Sequence, residues 1–235
     1  MLFKTRLGSR SNARRISKNI CKILCKMILD REISREIGSY KAENKLINET
    51  IESFQPNLFV SLRCLTGHTD GGKAHLFQRS SADGYTKREN VVRYFAGLLR
   101  RNLGLKQSFM FLGWHEFGSR KADAPLKNGG HAHAAFKIPA SVIEAIGVDG
   151  LLEKVRGTVD QIKKRKDKQH GQCRWLDVAF TKGNNGRSIL IESVDAVATY
   201  ASKWEGLHED GSAPFKSPFA SDWDAIEREK SRAVH

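Results

Sequence analysis

The 235-residue chain carries 40 lysines and arginines against 26 aspartates and glutamates, a formal net charge of +14. With 40% hydrophobic and 28% charged residues it has the composition of a globular protein, long enough to bury a substantial core. No run approaches the roughly 18 apolar residues of a membrane span, which excludes a transmembrane helix. The basic excess points to a polyanionic partner, most simply nucleic acid, with a basic but otherwise ordinary enzyme as the competing reading.

The excess is uneven: residues 1–50 carry +7, whereas residues 201–235 carry −2. Before Asp30 there is no acidic residue, while Lys4, Arg6, Arg10, Arg14, Arg15, Lys18, Lys22 and Lys26 accumulate. That composition suits either an organelle presequence or a basic arm lying along a phosphate backbone. The segment lacks the apolar stretch of a secretory signal. The four cysteines, Cys21, Cys25, Cys64 and Cys173, form no CxxC pair, so reduced thiols in a cytoplasmic protein are expected rather than a zinc ribbon or a disulfide framework.

In chain order, residues 13–50 have helical periodicity, with Ile16, Ile20, Ile23 and Met27 opposite Lys18, Lys22 and Lys26, and Pro56 ends the pattern. LFVSLRCL (Leu58 to Leu65) reads as a strand. The Gly-rich stretch that follows it, Gly67 to Ala74, has the spacing of a phosphate-cradling loop, but Ala74 replaces the hydroxyl such a loop needs and AHLFQRSS is a poor helix opening. This stretch is expected to be a turn, with no nucleotide cofactor. Arg88 to Leu103 reads as an amphipathic helix with Val91, Val92, Phe95, Leu98 and Leu99 on one side. Phe109 to Phe117 and His131 to Ile138 read as two strands of a long hairpin, and 141–166 as a helix. Trp175 to Lys182 and Ser188 to Glu192 read as a second hairpin around an NNG turn. SVDAVATYASKW is helical, followed by a Gly- and Pro-containing linker and a short helix near Trp223. This order predicts an α+β fold, a central, mainly antiparallel sheet flanked by helices, with a basic helical N-terminal extension.

Residues i and i+2 of a strand point to one face, so His131 and His133 converge on one point. Two imidazoles around an alanine suit a divalent cation, and Glu116 on the preceding strand of the hairpin supplies a carboxylate. Such a set, open elsewhere, suits Mg²⁺ or Mn²⁺ acting on phosphate oxygens. A hydrogen-bonded surface pair is the rival reading. His115 points to the opposite face and is the weaker ligand. On the later helix, Val194, Val197, Ala201 and Trp204 form an apolar stripe. Tyr200 falls about 40° beyond its edge, with Lys203 further round on the same side. A phenol is a poor nucleophile near neutrality, but a polarised phosphate and a neighbouring cation would help it. Alone, Tyr200 reads as an interfacial aromatic and Lys203 as a solvated charge.

Taken in order, FVSLRC (Phe59 to Cys64), HAHAAF (His131 to Phe136) and VATYASKW (Val197 to Trp204) resemble the HUH endonuclease superfamily, specifically single-tyrosine rolling-circle replication initiators. The resemblance covers roughly residues 57–205, between the extension at 1–56 and a linker with a short terminal helix at 206–235. It departs from the family in FVSLRC, which lacks the usual threonines, and in Trp204, where some members carry a second tyrosine. Relaxases usually place the tyrosine before the histidines, so the order here argues against them.

The resemblance implies that Glu116, His131 and His133 hold Mg²⁺ or Mn²⁺ against a scissile phosphate of single-stranded or hairpin origin DNA. It implies that Tyr200 attacks to leave a 5′-phosphotyrosine and a free 3′-hydroxyl, and that Lys203 orients the phosphate. A host helicase and polymerase would serve a phage or plasmid replicon in a bacterial cytoplasm, with no membrane partner. A transposase of the same chemistry and a non-catalytic nucleic-acid-binding module on a similar fold are the alternatives. Deleting the basic N-terminal arm is expected to flatten the salt dependence of DNA binding, measured as the slope of log K against log salt. A short oligonucleotide should still be nicked by the truncated chain.

Overall fold

A computed structural model describes residues 41–65, 72–79, 82–107, 109–116, 130–165, 173–179, 190–201 and 217–233. In these the chain runs through α1 (residues 41–54), β1 (Leu58–Cys64), α2 (Gly72–Gln78), α3 (Ala82–Asn102), β2 (Phe111–Glu116), β3 (His131–Phe136) and α4 (Ala140–Lys164). β4 (Leu176–Ala179), α5 (Val194–Ala201), β5 (Phe219–Ala220) and α6 (Trp223–Ala233) complete it. The strands form one sheet in the order β4-β1-β3-β2-β5, with each neighbouring pair antiparallel. The fold is α+β, as the sequence predicts.

β1 reads as an almost continuous apolar run because both faces of the sheet are covered. Leu58, Val60 and Leu62 face a core built with Phe77 of α2, Val91, Phe95 and Leu99 of α3, and Leu151, Val155 and Ile162 of α4. Phe59 faces the other way, with Leu112, Trp114 and Ala135. Ile47, Ile51 and Phe54 of α1, Ala198 and Ala201 of α5, and Ile226 of α6 pack over them. α1 and α6 thus belong to the sheet's second core; residues 1–40, 202–216 and 234–235 lie outside the described residues.

Local signals explain most boundaries. α1 stops where Gln55 turns left-handed (φ 49) ahead of Pro56. Ser193 caps α5 by accepting the Ala196 N–H at 3.1 Å, and Asp222 caps α6 by accepting the Ala225 N–H at 3.0 Å. α4 is two helical pieces meeting at Gly147, whose φ of 69 and ψ of 174 suit glycine.

Three expectations are corrected. GKAHLFQ is helical (α2), because Ala74 and Phe77 are buried in the core and Phe77 packs on Trp175 at 5.0 Å between ring centres. Tertiary burial outweighs the weak opening there. Among the described residues, 176–179 and Leu190 do not pair with each other as the expected hairpin would require. β4 and the bridge residue Leu190 are both antiparallel to β1, so they run in the same direction, end to end along the β1 edge that β3 leaves open. Leu176 and Leu190 both pack into the core of the α4 side, which favours this arrangement. α3 begins at Ala82, six residues before the expected start. β5 is an element that its two residues do not announce. It is held by pairing with β2 and by the Phe219 ring, which lies over Gly113 where a Cβ would come within 2.4 Å of it.

Arg88, fully buried in α3, ties the first core together. Its Nη1 donates to the carbonyls of Phe77 and Arg79, closing the end of α2, and its Nε donates to His115 Nδ1 at 2.9 Å. Burial, and then the Arg88 charge, push His115 from its ordinary 6.5 down to about 2. Between those values the unfolded chain binds a proton that the folded chain refuses, so stability falls as pH drops below about 6.5. His115 should contribute a loss of up to ~1.4 kcal/mol per pH unit there, read by urea denaturation. His115→Asn, whose carbonyl can still accept from Arg88 without titrating, should remove that component.

Candidate metal centre and its tyrosine

The β2–β3 register sets Glu116 opposite His131 and Trp114 opposite His133, and the β1–β3 register sets Ser61 opposite His133. Alternation along the strands then brings Ser61, Glu116, His131 and His133 to the face covered by α1, α5 and α6. Trp114 and Phe59 lie on the same face and wall the pocket. Phe59 stacks on His133 at 5.3 Å and 21°, and Trp114 lies against it at 5.4 Å. His133 is 2% exposed and Glu116 6%, whereas His131 at the strand end is half-buried and faces the opening.

The three candidate ligand atoms, one from each of Glu116, His131 and His133, lie within 4.8 Å of one another. Glu116 Oε2 is 3.6 Å from His131 Nε2 and in direct hydrogen-bond contact with His133 Nε2. Burial alone would raise the Glu116 carboxyl, but hydrogen bonds from His131 and His133 and their charges hold it well below the usual carboxylate range. It is an anion in the core. On the far side of the ring, His133 Nδ1 is 2.6 Å from Ser61 Oγ. With a cation in place of the Nε2 proton, Nδ1–H would donate to that hydroxyl and Nε2 would turn its lone pair to the cluster, the outer-shell arrangement common to metal-ligating histidines.

These residues fit a divalent cation: two imidazole nitrogens and one carboxylate converge, and one imidazole is oriented from behind. A cation would take the place of the proton shared by His133 and Glu116.

Tyr200 completes the group from α5. Ala198 and Ala201 let that helix lie close on Phe59 and Trp114, so Tyr200 projects from its flank into the cluster. Its hydroxyl donates to Glu116 Oε2 at 3.1 Å and lies 3.5 Å from His133 Nε2. The ring meets His133 edge-on at 5.4 Å and Phe59 at 6.0 Å, yet the residue is 37% exposed. The phenolic oxygen is thus fixed at the ligand atoms on a partly exposed side chain.

Four of the five residues singled out from sequence, Glu116, His131, His133 and Tyr200, therefore meet at one point. Lys203 lies outside the described residues. His115 faces the opposite side of the sheet, as strand alternation requires. Ser61 is the member the sequence reading missed. Its signal was a lone hydroxyl amid the apolar residues of LFVSLRC. No protein-family model matches the chain, and no curated protein matches it. Ser61→Ala is expected to weaken Mn²⁺ affinity by about ten- to a hundredfold, measured by calorimetric titration, with the thermal melt of the metal-free protein little changed.

Proposed function

We propose that the protein is an HUH-type, metal-dependent endonuclease that nicks and rejoins single-stranded DNA, with Tyr200 as nucleophile. The observation that carries this reading is the Tyr200 hydroxyl resting 3.1 Å from Glu116, among the candidate ligands. The order of the strand, the histidine pair and the helical tyrosine, together with the charge of +14, supports it.

In this mechanism Glu116, His131 and His133 would hold Mg²⁺ or Mn²⁺, which when bound would supply Lewis-acid neutralisation of phosphate charge. Ser61 keeps the His133 ring turned so that Nε2 faces the cluster. Phe59 and His133 hold the Tyr200 ring, and its hydroxyl at the ligand atoms would meet the scissile phosphate. The Tyr200 oxygen forms a bond to phosphorus while the bond to the 3′ oxygen breaks. The phenol loses one proton and the departing 3′ oxygen gains one, so no co-reactant is consumed. Because the phosphotyrosine retains the energy of the phosphodiester, a 3′-hydroxyl can reverse the step and rejoin the strand. By resemblance, Lys203 would orient the phosphate. Initiation of phage or plasmid rolling-circle replication, with helicase and polymerase from the host, is the biological setting that fits such a nick.

Incubation with a labelled single-stranded oligonucleotide library and Mn²⁺ should produce a covalent protein–DNA adduct that survives denaturing electrophoresis. The adduct should vanish in Tyr200→Phe and on adding EDTA. The double substitution His131→Ala, His133→Ala should abolish cleavage but keep salt-sensitive binding. An adduct persisting in Tyr200→Phe would move the nucleophile elsewhere. Binding without cleavage under any metal would favour a non-catalytic module.

A further inference from the structure

The register that builds the cluster also places a charged pair beside it. Arg63 of β1 lies opposite Asp177 of β4, and His131 of β3 opposite Glu116 of β2. β1 and β3 pair as far as Leu62 and Ala132, so one further step along the ladder sets Arg63 beside His131. Asp177, Arg63, His131 and Glu116 therefore form one row across four strands, each about 4.8 Å from the next. Ser61, two residues before Arg63, contacts His133, so Arg63 shares the face of the cluster.

The next rows inward, through Ser61, His133 and Trp114 and then Phe59, Ala135 and Leu112, become progressively apolar and buried. The Arg63–Asp177 end of the outermost row is its accessible part. The Arg63 side chain is 56% exposed and that of Asp177 28%. Their contact is a single one, Nε to Oδ2 at 3.2 Å. Among the described residues neither Nη of Arg63 makes a hydrogen bond. An exposed pair of this kind contributes little to stability and yields readily to a better anion. A phosphodiester is such an anion, since a guanidinium presents two parallel N–H groups to its oxygens.

We propose that Arg63 anchors the DNA backbone at the rim of the site, holding the phosphate adjacent to the one at the Glu116–His131–His133 cluster. Asp177 competes with the strand for the same guanidinium. The identity of the strand rests on the nicking reading above. Asp177 would also repel polyanions that do not reach Arg63 in the bound register.

The test is equilibrium binding of a fluorescent single-stranded DNA oligonucleotide to the full chain, read by anisotropy in EDTA at several salt concentrations, where no cleavage intervenes. Arg63→Gln should weaken binding about tenfold and lower the salt slope by about 0.7. Arg63→Lys should keep the slope. Asp177→Asn should tighten binding about two- to fivefold. Thermal melts of each variant check folding. An ion pair with only a structural role makes the two halves equivalent, so Kd shifts of the same sign in Arg63→Gln and Asp177→Asn, or no shift in either, would overturn the proposal. Absence of a Tyr200 adduct bears on the enzymatic reading alone; opposite-signed shifts support the anchor with or without it.

Discussion

The candidate site depends on the antiparallel register between β2 and β3. Pairing runs from Phe111 opposite Phe136 to Glu116 opposite His131. A slip of one residue would turn the histidines to the α3 side of the sheet, because side chains alternate with a period of two. The register is held at its far end by aromatic packing: Phe136 lies against Phe95, Phe109 and Phe111 within 6 Å. The small side chains of Ala132 and Ala134 leave room on that face for the helices. Phe219 over Gly113 closes the opposite edge. Packing on one face therefore aligns chemistry on the other.

Two adjacent residues of β2 meet opposite problems of burial. His115 is kept neutral: its Nδ1 accepts from Arg88, so adding a proton would break a hydrogen bond and oppose a cation. Glu116 is kept charged by two imidazoles and a phenol that donate to it. Arg88 is itself pushed down to about 10 by burial and remains a cation at neutral pH, with carbonyl oxygens and an imidazole around it. A buried carboxylate held by donors that a cation can replace is chemically different from one neutralised by a fixed guanidinium. The former can exchange a proton for a metal without leaving an unpaired charge.

Much of the site was legible in the chain because strand geometry is local. HAH in a strand places two imidazoles on one side whatever surrounds it, and a hairpin brings the preceding strand's Glu116 within reach. Tyr200 was legible only as a residue on the flank of an apolar stripe. That the flank faces His133 depends on Ala198 and Ala201 meeting Phe59 and Trp114, which no helical wheel contains. Ser61 was illegible for the same reason: a serine in a strand becomes an orienting group only once a particular imidazole is opposite it. The short α2, the end-to-end arrangement of β4 and Leu190, and the two-residue β5 are likewise stabilised by contacts distant in sequence.

The chain by itself determined the periodicities: most of the long strands and helices, which residues share a face within them, and the α+β order that follows. It also set the basic excess, because charge is additive along the sequence. The tertiary structure decided convergence. Strand register, the close approach allowed by two alanines and the stacking of Phe59 on His133 bring Glu116, His131, His133 and Tyr200 to one point. Those distances arise from packing between residues as much as 141 positions apart, Phe59 to Tyr200, and local propensity has no reach over that separation.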